Sequence, residues 1–269
     1  MVSPECSIRI RLPGIPGIVL DLQLSPAPAG PSRLAAVAAF GSGLCLVSPQ
    51  SDTVVATFGG LQYRPYSCSW LPSASATPQA AHAASRPATA TSAGEHLLVA
   101  GLEKGHLALL DIRRTDRPVA LASVLPRQCG LLPVRTVAAL PPDVAATTAT
   151  TGAGGVCWPS VALCCNKGAW LLPGGATAEG NPGVDSAVPN LLPLDGGYGA
   201  GSMQIESLAV HCAGAGGEGA GIGRIALSWR PGDGPLGGGA GPRHEIGLLG
   251  ADPRTPYKHE VGQTRMSLT

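Results

Sequence analysis

Three times in the first 172 residues, two apolar runs meet across a short turn that ends in glycine. No other feature constrains the fold as strongly. Leu34 to Phe40 turns through Gly41-Ser42-Gly43 into Leu44 to Val47. His96 to Leu102 turns through Glu103-Lys104-Gly105 into His106 to Ile112, and Val161 to Cys165 turns through Asn166-Lys167-Gly168 into Ala169 to Leu172. Glycine supplies the positive φ that a tight hairpin requires, so each pair is expected to be a β-hairpin. Helical periodicity is missing throughout, and short apolar runs bounded by Gly, Pro, Asn or Ser predict an all-β chain.

Each hairpin is preceded by a further strand that stops at a proline: Val19 to Pro26, Tyr66 to Pro72 and Val134 to Pro141. Proline suits a strand end because it has no amide hydrogen for the ladder. Thr53 to Phe58 and Pro118 to Val124 supply a fourth strand in the first two units. The unit is therefore strand, loop, strand, glycine turn, strand, loop, strand. Four antiparallel strands over about 40–45 residues is the period of a WD-type propeller blade. The expected fold class is a partial WD40-type β-propeller of four blades spanning residues 8–250, at 18–58, 65–124, 134–172 and 202–249. The fourth is the weakest, built from Met203 to Val210, Arg224 to Trp229 and His244 to Leu249. Residues 73–94, 143–157 and 213–222 are low-complexity segments unable to pack a core, all inserted between the first and second strands of a unit. Residues 173–201 fit no element, and 251–269 read as the start of a truncated segment. Four blades do not close a ring, so a portion of a larger protein is expected.

Composition removes several functions. With 18 Lys and Arg against 17 Asp and Glu, the chain has no global field to gather nucleic acid or anionic lipid. The longest apolar stretch, Leu34 to Val47, is short and broken by Gly41 and Gly43, and no membrane span is expected. The N-terminus lacks the basic-then-apolar layout of a signal peptide. None of the eight cysteines stands in a C-x-x-C pair, and several lie inside apolar runs. They are expected to be buried reduced thiols, as in the cytosol or nucleus.

Several stretches resemble the RING-finger and WD-repeat ubiquitin ligases of the DNA-damage response. Arg64-Pro65-Tyr66-Ser67-Cys68-Ser69-Trp70 is similar to the start of a blade in that family, and Leu98 to Arg113 is similar to its following strand pair. Ser51 to Phe58 resembles the preceding blade's last strand, and Trp229-Arg230-Pro231 a downstream element. The resemblance covers residues 18–142 well, and 159–172 and 202–250 loosely. It implies the partner-recognition propeller of a nuclear E3 ubiquitin ligase, with the cytoplasm as a second compartment. That family acts on single-strand-DNA-binding protein complexes in DNA repair and replication stress. The chain departs from the family in having no RING array of zinc ligands and no coiled coil. A WD scaffold unrelated to ubiquitin is the alternative.

Propellers bind partners on the face formed by the segments leading into the first strands and by the turns between second and third strands. On that geometry Arg64, Tyr66, Glu103, Lys104, Arg135, Asn166 and Lys167 are the expected binding residues, with a protein as partner. Arg113, Arg114 and Arg117, beside Asp111 and Asp116, read as a solvated, salt-bridged loop in which Asp111 caps a turn. No catalytic, metal or cofactor site is expected. The six histidines lack ligand spacing, and no serine sits in G-x-S-x-G. His211 and Cys212 are adjacent on a strand and so face opposite ways. The strings Gly214/Gly216/Gly219 and Gly232/Gly234/Gly237 match a dinucleotide fingerprint only in spacing, because a strand, not a helix, is expected at 224–229.

Overall fold

The computed structural model describes residues 15–26, 33–72, 96–126, 129–140, 158–175, 186–187, 191–193, 203–212, 223–231, 245–250 and 261–262. These form an all-β arrangement of four sheets, with no α-helix among the described residues. The first sheet is a meander of β1 (Ile18–Leu24), β2 (Ala35–Phe40), β3 (Gly43–Ser48) and β4 (Thr53–Thr57). The second repeats it with β5 (Pro65–Trp70), β6 (Leu97–Leu102), β7 (His106–Asp111) and β8 (Ala120–Ser123). The third contains β9 (Thr136–Ala139), β10 (Val161–Cys165) and β11 (Gly168–Leu172). The fourth holds β14 (Met203–Cys212), β15 (Gly223–Pro231) and β16 (Glu245–Gly250).

The three glycine hairpins lie where the turn chemistry puts them, and strand ends move by a few residues. Pro65 opens β5, one residue before the expected start, and Val134 and Arg135 lie ahead of β9. Two elements have no counterpart in the sequence reading of 173–201. β12 (Ser186–Ala187) pairs parallel with β8, and β13 (Leu192–Pro193) is the fourth strand of the third sheet. β17 (Val261–Gly262) completes the fourth sheet against β16, so part of 251–269 belongs to that sheet. Two-residue strands carry no periodicity, and only their pairing reveals them. Residues 73–94, 143–157 and 213–222, and both glycine strings, fall outside the described residues.

Strand alternation sends side chains to two cores. On β6, Leu98, Ala100 and Leu102 face the first sheet, joining Ala36, Ala38, Leu44, Leu46, Cys68 and Trp70. Val99, with Leu107 and Leu109 of β7, faces the third sheet and meets Trp158, Val161, Leu163, Trp170 and Leu172. The second sheet is thus buried on both faces, which explains its continuous apolar runs. The outer face of the first sheet carries a smaller cluster of Ala35, Val37 and Val47.

The first strands of successive sheets lie side by side: β1 beside β5, β5 beside β9, and β9 beside β14. Three of them carry a β-bulge at the same place, with one extra residue each: Leu20 in β1, Tyr66 in β5 and Glu206 in β14. A bulge bends and twists its strand. Here it recurs where neighbouring strands converge. Polar side chains tie these strands together. The Cys68 amide donates to Asp21 Oδ2 (2.8 Å), and the Ala139 amide to Ser69 Oγ (3.0 Å). The Ser67 hydroxyl donates to the Val134 carbonyl (3.2 Å), and Trp70 Nε1 to the Gln23 carbonyl (3.0 Å). Main-chain groups that would sit unpaired on a strand edge are satisfied this way.

Candidate functional site

The surface of interest is built on the hairpin turns. Between β6 and β7 the chain turns through Glu103–Gly105, with Lys104 at φ 58° and Gly105 at φ 74°. Gly105 accepts this conformation without steric cost. A Cβ there would also come within 2.9 Å of the Leu125 side chain. The turn raises Lys104 into solvent and buries His106 beneath it. The His106 ring stacks on Tyr63 with centroids 3.9 Å apart, and its Nδ1 lies 3.3 Å from the Glu103 carbonyl. A carbonyl only accepts, so this contact assigns the proton to Nδ1.

Neighbouring turns are joined through the main chain. The Glu103 amide donates to the Arg64 carbonyl (2.8 Å), which docks the segment leading into β5 against the β6–β7 turn. The Val134 amide donates to the Leu102 carbonyl (3.0 Å), and the Arg135 amide to the Cys164 carbonyl (2.9 Å). These bonds carry the surface from the second sheet to the β10–β11 turn. Arg64, Tyr66, Glu103, Lys104, Arg135, Asn166 and Lys167 therefore share one end of the sheets. Arg64, Lys104, Arg135 and Lys167 are exposed, whereas Tyr66, Glu103 and Asn166 are half-buried. Tyr66 is the bulge residue of β5. Asn166 Oδ1 is buried without a hydrogen-bond donor, and the Lys167 amide reaches Cys165 Sγ (3.3 Å).

Four residues of this end escaped the sequence reading. The Arg64 guanidinium lies 4.9 Å above the Phe40 ring, and Lys104 Nζ lies 5.6 Å from the Tyr63 ring. Phe40 is 43% exposed and Leu131, between β8 and β9, is 75% exposed. His106, buried under the turn, completes the group. Phe40 ends a strand of the first sheet and Arg64 leads into the second, so nothing local in the sequence pairs them.

The opposite end differs. Asp111 Oδ1 accepts from the Arg113 amide (2.9 Å) and its carboxylate is gripped by the Arg113 guanidinium (2.7 Å to Nη2). This is the turn cap expected of Asp111. The Arg113 hydrogen bond holds its carboxyl below the usual range. Arg117 Nε lies 3.9 Å from Asp116. An open cleft of about 250 Å³, lined by Gln23, Leu24, Pro26, Ser69, Trp70 and Pro72, contains no titratable side chain.

Cys45, Cys68, Cys129, Cys164 and Cys165 are buried, and Cys45, Cys68, Cys164 and Cys165 are in no disulfide. Burial, with the Asp21 charge second, pushes the Cys68 thiol up, and burial pushes Cys164 up to about 11. Such thiols are poor nucleophiles at neutral pH. No group of three His, Cys, Asp or Glu able to hold a metal occurs among the described residues, and no helix there is long and apolar enough to cross a membrane. No protein-family model matches the chain, and no curated protein matches it.

Proposed function

We propose that the four sheets are blades of an incomplete WD-type propeller whose turn end holds a protein partner. We further propose that this is the recognition portion of a nuclear RING-type E3 ubiquitin ligase, with the RING outside this chain. The partner proposed from the family resemblance is a single-strand-DNA-binding protein complex met in DNA repair and replication stress.

The observation that carries the partner-binding reading is the order of the first strands. Successive sheets pack with their first strands β1, β5, β9 and β14 side by side in order. Their turns gather exposed Arg64, Lys104, Arg135 and Lys167 at one end. Arginine and tyrosine are the residue types that anchor protein interfaces. The ligase assignment rests on the Arg64-to-Trp70 and Leu98-to-Arg113 resemblance.

The test is co-precipitation of the purified single-strand-DNA-binding complex by the whole chain and by an Arg64→Ala/Tyr66→Ala variant. Capture by the wild type, reduced about tenfold or more in the variant, supports the reading. Equal capture by a variant of unchanged far-ultraviolet circular dichroism overturns this face as the partner site. Capture of a complex whose ubiquitination does not depend on this gene points to a scaffold outside ubiquitin transfer.

A further inference from the structure

We propose that the turn end of the second and third sheets docks an extended, carboxylate-rich protein segment that also carries apolar side chains. The inference rests on the partner-binding reading above and names the chemistry of the partner.

Charge is the first argument. Arg64, Lys104, Arg135 and Lys167 stand exposed on this end, with Glu103 as the one carboxylate of the group. Among the described residues the ion pairs are Arg113–Asp111 and Arg117–Asp116, and neither involves these four cations. Among the described residues the four cations have no carboxylate partner, in a chain of net charge +1. A local basic field of this kind steers and orders an acidic partner.

Preorganisation is the second. Lys104 and Lys167 hold the same place in their two turns, each followed by a glycine. The Phe40 ring supports Arg64 and the Tyr63 ring faces Lys104, at cation–π distances. Held side chains lose less rotamer freedom when a partner binds.

Apolar anchoring is the third. Phe40, at 43% exposure, and Leu131, at 75%, flank the charged arc and offer contact to aliphatic side chains. Nucleic acid fits less well. One face of the Tyr63 ring is taken by His106 and its surface is shared with Lys104, so it is not an open platform for a base.

The experiment uses the whole chain with three fluorescent probes: a short peptide alternating Glu and Leu, its Gln-for-Glu counterpart, and a single-stranded oligonucleotide. Anisotropy titration is expected to show binding of the Glu peptide and at least about tenfold weaker binding of the other two. A Lys104→Glu/Arg135→Glu variant is expected to weaken the Glu peptide about tenfold or more. Raising salt from 0.1 M to 1 M, which cuts the screening length from about 10 Å to about 3 Å, weakens it too. Lys167→Glu is the substitute if the double variant does not fold. No binding of the Glu peptide, equal binding of the Gln peptide, indifference to the charge reversals or tighter binding of the oligonucleotide overturns the proposal. Binding of the Glu peptide without capture of the single-strand-DNA-binding complex keeps this inference and removes the ligase assignment. Capture of the complex without peptide binding does the reverse.

Discussion

Asp21 shows how one short side chain decides the fit between two sheets. Its two oxygens accept from the Leu22 and Cys68 amides, both at 2.8 Å. Asp21→Ala leaves both amides without these acceptors and is expected to cost about 1–3 kcal/mol in denaturant unfolding. Asp21→Asn keeps an acceptor oxygen and is expected to cost less, so equal losses in the two variants would refute this role. Cys68 and Cys164 are expected to resist maleimide at neutral pH until the chain unfolds, because burial holds both thiols protonated. Rapid labelling under native conditions would contradict the burial. Asp111 sets the acid limb. Its folded-state carboxyl is held below the unfolded value of about 3.9, chiefly by Arg113. The stability it contributes is complete above that value and lost as pH falls through the lowered one. Since Arg113 is largely solvated, the effect is modest. Asp111→Asn is expected to flatten stability against pH in this window, and an unchanged slope would argue against the pair.

At the scale of elements, Gly101 of β6 lies close against the segment that leads into the third sheet. A Cβ there would lie 2.5 Å from Ser67 Oγ and 2.7 Å from the Val134 carbonyl oxygen. The carbonyl belongs to the segment leading into β9 and cannot swing aside as a flexible side chain would. Gly101→Ala is therefore expected to destabilise by about 1–3 kcal/mol, read as a lower denaturation midpoint. A midpoint at or above that of the wild type would show that the sheets can part without penalty. The recurrent bulges belong to the same scale. Leu20, Tyr66 and Glu206 have little in common chemically, yet each is the extra residue in its first strand. The shared feature is backbone geometry, which side-chain identity hardly reports.

Across the whole molecule the second sheet is packed between two inter-sheet cores. Between the first and second sheets lie Leu44, Leu46, Phe58, Leu98 and Leu110 with several alanines. Between the second and third lie Trp158, Leu163, Trp170 and Leu172. More apolar area removed from water gives more stabilisation, at about 25 cal/mol per Å². The β6 and β7 amides, covered on both faces, are expected to exchange hydrogen most slowly. Those of β1 and β4 are expected to exchange faster, β1 because Ile18, Val19, Leu20 and Leu24 are exposed on it. Uniform exchange rates across the first and second sheets would show that they open as one unit instead.

What the sequence determined by itself was local: the glycine turns, the alternating strands and the repeating order of strand, hairpin and strand. Those depend on φ preference and a two-residue period, which act between chain neighbours. The turn residues Glu103, Lys104, Asn166 and Lys167 were legible for the same reason, since a turn between two apolar runs must reach solvent. Tertiary structure decided everything that joins distant residues. It seated β13 and β17 at sheet edges, where two residues carry no pattern of their own. It set Arg64 over Phe40 and Asp21 against Cys68, contacts between sheets rather than along a strand. The proposed binding surface is of this second kind, because its residues are neighbours only once the sheets have packed.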